Sequence, residues 1–256
     1  SSPFNQEMLS RAAQLVIDSL PSLAPAEDPA AYLPLLPGRV KEAISWADAY
    51  LTREIWKRAA RCPSLPDQDG VLRVPKTLRI HPRLDKDPRK LTRWLRMWQE
   101  CPERPSDWLH PSAEADALRS GKVEHILAAA EHERAGVREW LEALVESGTP
   151  QASAVAVRIL ADMVEQDSPF AEDARKARIV LSEEHGLVAP VPGKVFRRVD
   201  QDGLRESTVY VVPELAQDPS LAHALNVLGI READAEGRFV SVLDQGFDHY
   251  SDADWE

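Results

Sequence analysis

Two cysteines, Cys62 and Cys101, are all that 256 residues carry. So few thiols exclude a disulfide framework and suit a reducing compartment. Long apolar runs are equally scarce. No stretch approaches the roughly 20 residues of a membrane span, and the polar start lacks the basic-then-apolar order of a secretion signal. The chain therefore reads as cytoplasmic, with no membrane partner. Basic charge is in deficit, with 31 Lys and Arg against 42 Asp and Glu and a net charge of −11. That balance excludes binding of nucleic acid or anionic lipid through the surface as a whole. The 11 glycines and 20 prolines are dispersed, so no long low-complexity linker divides the chain.

Short patterns that carry chemistry are also missing. Asp67-Gln68-Asp69-Gly70 and Asp200-Gln201-Asp202-Gly203 resemble calcium loops only in part. Such a loop needs a bidentate glutamate six residues after its glycine, and those positions hold Lys76 and Val209. Polar residues ahead of glycine are instead what a tight turn requires. The seven histidines show no metal spacing, and His132-Glu133 lacks the second histidine of a zincin helix. No serine sits in a nucleophile elbow, and Gly121-Lys122 lacks the spaced glycine of a phosphate loop. The residues give no catalytic, cofactor-binding or metal-binding assignment, and the segment reads as non-enzymatic.

What is present is an apparent repeat. Thr77 to Pro88 and Thr208 to Pro219 align without a gap, matching at Thr77, Pro82, Leu84, Asp87 and Pro88. In each, a β-branched run ends at a proline that cannot donate to a ladder. An Asp-Pro pair follows, which suits a capped helix start. Upstream, Leu65 with Gly70 and Leu181 with Gly186 repeat a leucine, a polar turn and a glycine. The expectation is a helix-rich α+β protein built as two related modules, each with a small β element.

Helical spacing marks 8–20, 40–61, the segment after Pro88, 137–147, 150–164 and 219–228, and a further helix over 233–247. Three prolines between Pro102 and Pro111 place the module boundary there. Residues 1–104 form the first module; residues 105–256 form the second, with a longer hairpin over 192–206 and an acidic C-terminal helix. Ser251 and Asp254 suggest a helix beginning where the chain stops, as in a piece of a longer protein; a frayed acidic tail is the other reading.

Charge is most uneven around the first copy. Arg73, Lys76, Arg79, Arg83, Lys86, Arg89, Lys90, Arg93 and Arg96 face only Asp85 and Asp87. These nine are the candidate partner-binding residues, for phosphates or an acidic protein. Alternatively they form a solvated face opposite a buried Leu91, Trp94, Leu95 and Trp98 stripe. From Arg231 to Glu256 eight acidic residues face two basic ones.

Several stretches, among them P-F-N-Q-E-M-L-S-R-A-A-Q-L-V-I-D-S-L-P, L-P-D-Q-D-G-V-L-R-V-P, W-L-E-A-L-V-E-S-G-T-P, G-L-V-A-P-V-P-G-K-V-F and L-G-I-R-E-A-D-A-E-G-R-F, resemble large bacterial proteins with a sacsin-like ATP-binding domain of the GHKL superfamily. The resemblance spans nearly the whole chain but falls downstream of the ATPase. An Asn-bearing helix, an Asp-x-Gly-x-Gly turn and a glycine-rich lid are absent, since Asp69-Gly70 and Asp202-Gly203 lack the second glycine. The resemblance implies ATP and Mg for the parent protein alone. It implies a chaperone-like scaffold or protein-contact role for this segment, with the upstream ATPase domain and client or partner proteins as its contacts. A nucleic-acid-binding module using Arg73 to Arg96 is the alternative.

Overall fold

The computed structural model describes residues 46–84, 93–198, 208–234 and 236–240, together with the helical residues Glu7, Arg11, Gln14, Leu15 and Asp18. Helix predominates and the strands form two-stranded sheets, the expected helix-rich α+β class. In chain order the helices are α1 (Trp46–Ala59), α2 (Arg93–Glu100), α3 (Pro111–Ser120), α4 (Lys122–Ala130), α5 (Val137–Leu144), α6 (Pro150–Glu165), α7 (Ala171–Ala174), α8 (Pro213–Ala216) and α9 (Ala222–Val227). The strands are β1 (Leu65–Pro66), β2 (Leu72–Arg73), β3 (Val180–Ser182), β4 (Gly186–Val188), β5 (Val195–Phe196) and β6 (Val209–Tyr210), with a 3-10 turn at Pro75–Thr77. Among the described residues no helix is long and apolar enough to cross a membrane.

The chain divides into two compact units, Ser1–Thr92 with Pro105–Ala135, and Arg93–Arg104 with Gly136–Glu256. This differs from the division expected at 104/105. Helix α2 carries a buried Trp94, Leu95 and Trp98 stripe, and the stripe packs within the second unit, against α6 and Trp140. Helices α3 and α4 belong to the first unit because the strand segment before α3 pairs there.

In the first unit β1 and β2 make an antiparallel hairpin around residues 68–70. The Asp67 carboxylate, 2% exposed, accepts from Asp69 N (3.0 Å), Val71 N (2.9 Å) and Arg73 Nε (2.8 Å). Gly70 closes the turn at φ 79°, a conformation that costs a residue with a Cβ. After the 3-10 turn, Arg79 N donates to Asp107 O (2.9 Å) and Leu109 N donates to Arg79 O (3.0 Å), a parallel pairing. The other edge of 107–110 runs antiparallel to β1, with His110 N donating to Pro66 O (2.9 Å). Pro111 has no N–H to extend this ladder, so α3 starts there. Helix α4 ends at Glu131 (φ 50°), where His132 N donates back to Leu127 O (3.0 Å). The chain then runs beside Ile80, with Ala135 N donating to Ile80 O (2.9 Å).

The second unit repeats the scheme. Strands β3 and β4 pair around residues 183–185, and buried Ser182 Oγ accepts from His185 N (3.2 Å) and donates to Gly186 O (2.7 Å). Strand β5 runs parallel to β6, with Val211 N donating to Phe196 O (3.0 Å). Val211 is antiparallel to Ser182, and Val212 N donates to Leu181 O (3.1 Å). Pro213 opens α8. Helix α9 is followed by Gly229 (φ 77°), with Ile230 N donating to Leu225 O (2.9 Å), and Ala233 N donates to Arg197 O (2.9 Å).

Place for place, these bonds set Asp67 with Ser182, Arg79 with Phe196, Leu109 with Val211, Pro111 with Pro213, Glu131 with Gly229 and Ala135 with Ala233. The expected equivalence of Thr77–Pro88 with Thr208–Pro219 is therefore corrected. Residues 78–80 form the flanking segment and 81–84 are irregular, whereas 209–211 form the central segment and Pro213 starts a helix. Asp87 lies outside the described residues. Asp218 does cap a turn, its Oδ1 accepting from Ser220 N (2.8 Å) and Ser220 Oγ (2.6 Å). The helix expected over 8–20 and the acidic C-terminal helix fall largely outside the described residues, as does 199–207 of the longer hairpin.

A Cβ added at Gly229 would lie 2.8 Å from Pro192 Cγ. Gly229→Ala is expected to destabilise the second unit by about 1–2 kcal/mol through its left-handed backbone alone, with the Pro192 clash adding to that. Urea unfolding checks this; an unchanged midpoint would contradict the turn described.

Candidate functional site

The basic stretch is divided between the two units. In the first, Arg73 pairs with Asp67 (2.8 Å) and Arg83 with Glu124 (3.0 Å), while Lys76 is exposed in the 3-10 turn. Arg79 grips Asp107 with two bonds of 2.9 and 2.8 Å and lies 5.2 Å over the Trp108 ring. In the second, Arg93 pairs with Asp162 (2.9 Å) and Arg96 is exposed. Lys86, Arg89 and Lys90 lie outside the described residues. Trp94 is 8% exposed and donates through Nε1 to Asp162 Oδ2 (2.7 Å). Trp98 is fully buried, donates to Trp140 O (3.3 Å) and stacks on the Trp140 ring at 6.1 Å. Base stacking needs an accessible aromatic face. These two rings are core.

A polar cluster that sequence reading did not single out lies inside the first unit. Arg134 Nη1 donates to His81 O (2.6 Å) and Glu114 Oε1 (3.0 Å), and its Nη2 donates to Glu124 Oε1 (2.6 Å). Burial pushes the Glu114 carboxyl up, with Arg134 opposing. Burial acts the same way on Glu124, but Arg134 and Arg83 outweigh it and hold that carboxyl down. His81 is sealed, with Nε2 3.2 Å from Leu109 O and its ring 5.0 Å from Trp108. Desolvation lowers its pKa to about 3, so the neutral imidazole acts as a donor to that carbonyl.

The corresponding place in the second unit is an open cleft of about 450 Å³, lined by Glu183, Arg197, Arg198, Gln217 and Glu232 with Ala216 at its wall. Arg198 is paired with Glu183 through two bonds and lies 4.3 Å over the Tyr210 ring. Arg197 Nη2 donates to Asn226 Oδ1 (3.0 Å). Nothing local in the sequence flags either cluster. Their members lie up to 53 residues apart and converge only through the pairing of distant segments. Among the described residues no group of His, Cys, Asp or Glu is placed to hold a metal ion. No family model, curated protein or solved structure matches the chain.

Two outcomes follow from these placements. Trp98→Ala should cost the second unit about 3–5 kcal/mol, whereas Arg93→Gln with Arg96→Gln should cost about 0–1 kcal/mol each. Calorimetry distinguishes the two; comparable losses would contradict the assigned core. For His81 the folded pKa is depressed, so between 6.5 and about 3 the unfolded chain binds a proton that the folded chain refuses. Its contribution is complete above that window and falls as pH drops through it, by about 1.4 kcal/mol per pH unit. His81→Gln should therefore lose less stability between pH 6.5 and 4.5 than the native chain; parallel losses in urea titrations would refute the buried neutral imidazole.

Proposed function

We propose that this chain is a non-catalytic segment of a cytoplasmic, sacsin-like ATPase of the GHKL type, serving as scaffold and protein-contact region, with ATP and Mg bound elsewhere in the parent protein. The supporting observation is one hydrogen-bonded frame that occurs in both units with its polar contents exchanged. A constant frame with variable fillings is how repeated modules present different surfaces to different partners. On this reading the two units arose from one duplicated module. Their contacts are the upstream ATPase domain and client or partner proteins.

The nucleic-acid alternative is weakened by the burial of Trp94 and Trp98 and by the carboxylates paired with Arg73, Arg79, Arg83 and Arg93. Two titrations of the chain test the reading, Mg-ATP by calorimetry and a fluorescent single-stranded oligonucleotide by anisotropy at low and high salt. Neither ligand should bind saturably. Micromolar ATP binding would place a nucleotide site within these residues. Oligonucleotide binding that falls steeply with salt and is lost in Arg73→Gln with Arg79→Gln would favour the alternative. A parent reading frame without an upstream ATPase domain would remove the sacsin-like assignment.

A further inference from the structure

We propose that the face of the second unit carrying Trp140 and Asp162 is a helix-docking seat, and that α2 is the ligand an insertion in the first unit delivers to it. The inference rests on the recurring frame and is independent of the ATPase assignment. Twenty-nine residues separate Arg79 from Leu109 in the first frame, and fourteen separate the matching Phe196 from Val211 in the second. The first connection is thus longer by fifteen residues, and α2 lies within it. The second unit makes the same strand pairings across the shorter connection, so the frame does not need the extra length. Nor does α2 pack with the strands it joins, since Arg93–Arg104 belong to the second unit. It is an insertion in one copy of the frame that completes the other.

The contact has the anatomy of a helix in a groove. Trp94, Leu95, Trp98 and Cys101 are buried along one side of α2, while Arg96 and Glu100 on the other are exposed. Two polar anchors set its register. The Asp162 carboxylate on α6 accepts from Trp94 Nε1 (2.7 Å) and pairs with Arg93 (2.9 Å). Gln166 Nε2 steadies that carboxylate from the next turn (2.6 Å). Trp140 on α5 accepts the Trp98 N–H at its carbonyl (3.3 Å) and stacks its ring on that of Trp98. The seat therefore reads an Arg-Trp pair followed by a second Trp one helical turn on. Helix α2 has only 8 residues, fewer than the roughly 12–15 that hold a helix in water unaided. Its helical form comes from being seated, so it behaves as a short motif that orders on docking. The partner that fits this surface is an amphipathic segment of that pattern, supplied here by the chain itself.

The test removes residues 90–104 from the complete chain, which makes the first connection as long as the second, and follows amide hydrogen exchange. Leu109 and Ala135, bonded within the first frame, should stay protected. Leu160 and Met163 on α6 should exchange about tenfold faster or more. A peptide of residues 93–104 should restore their protection with a dissociation constant of roughly 100 micromolar. Its Trp98→Ala form should bind about thirtyfold weaker. The intact chain should not respond to the peptide, because its tethered α2 acts at an effective concentration of roughly millimolar order. Trp98→Ala in the complete chain weakens the resident helix without shortening the connection, and the native peptide should slow exchange on α6 there too. The inference is overturned by lost protection at Leu109 and Ala135 in the shortened chain saturated with peptide, or by unchanged exchange on α6. A native peptide that rescues neither variant, or rescues them no better than its Trp98→Ala form, also overturns it. Mg-ATP binding would remove the ATPase-segment reading without bearing on this docking pair.

Discussion

Each unit hangs on a short strand segment bonded along both edges and stopped by a proline. Leu109 and Val211 are held antiparallel to a hairpin on one side and parallel to a flanking segment on the other. Two residues later Pro111 and Pro213 deny the ladder another donor and turn the chain into a helix. So few backbone bonds, each worth about 0.5–1.5 kcal/mol net, do little to hold the unit together. Their role is geometric. Stability comes from the helices they position, whose Val123, Ile126 and Leu127 in one unit, and Leu221, Ala224 and Leu225 in the other, are buried on matching faces.

That frame tolerates very different polar interiors because each closes its own electrostatic account. Arg134 enters a nearly dry site only because two carboxylates and a carbonyl receive it. Unpaired, such a charge would be strongly destabilising. In the second unit the places of Arg134, Glu114 and Glu124, counted from Ala233, Pro213 and Gly229, hold Glu232, Ala216 and Ala222. Glu232 beside a retained pair of carboxylates would repel them, and the alanines remove that repulsion.

Much of the local structure was legible. The polar turn ahead of Gly70, the Thr149-Pro150 helix start, whose Thr149 Oγ1 accepts from Ala152 N, and the Trp94 and Trp98 core stripe all rest on rules that act within a few residues. The domain assignment of α2 was not legible, since an amphipathic stripe states that one face is buried but not against what. The expected pairing of Thr77–Pro88 with Thr208–Pro219 fails for a related reason. Matching Thr77 with Thr208 used residue identity, whereas the flanking segment is defined by its parallel partner 28 residues on, at Asp107. Val74-Pro75 and Val191-Pro192 are the local signal that would have found it, because both open the turn into the flanking strand.

The same distinction decides what the charges mean. Counted along the chain, Arg73 to Arg96 is a basic run. In the fold it is two sets of cations in separate units, and four of them face carboxylates drawn from other segments. Glu232 shows the converse. It sits in an acidic stretch that reads as solvated tail, yet pairing beside Arg197 places it on the wall of a cleft, 3.8 Å from the Arg197 guanidinium. A run of like charge in sequence therefore says less about how charges are used here than the opposite charge that each one meets in the fold.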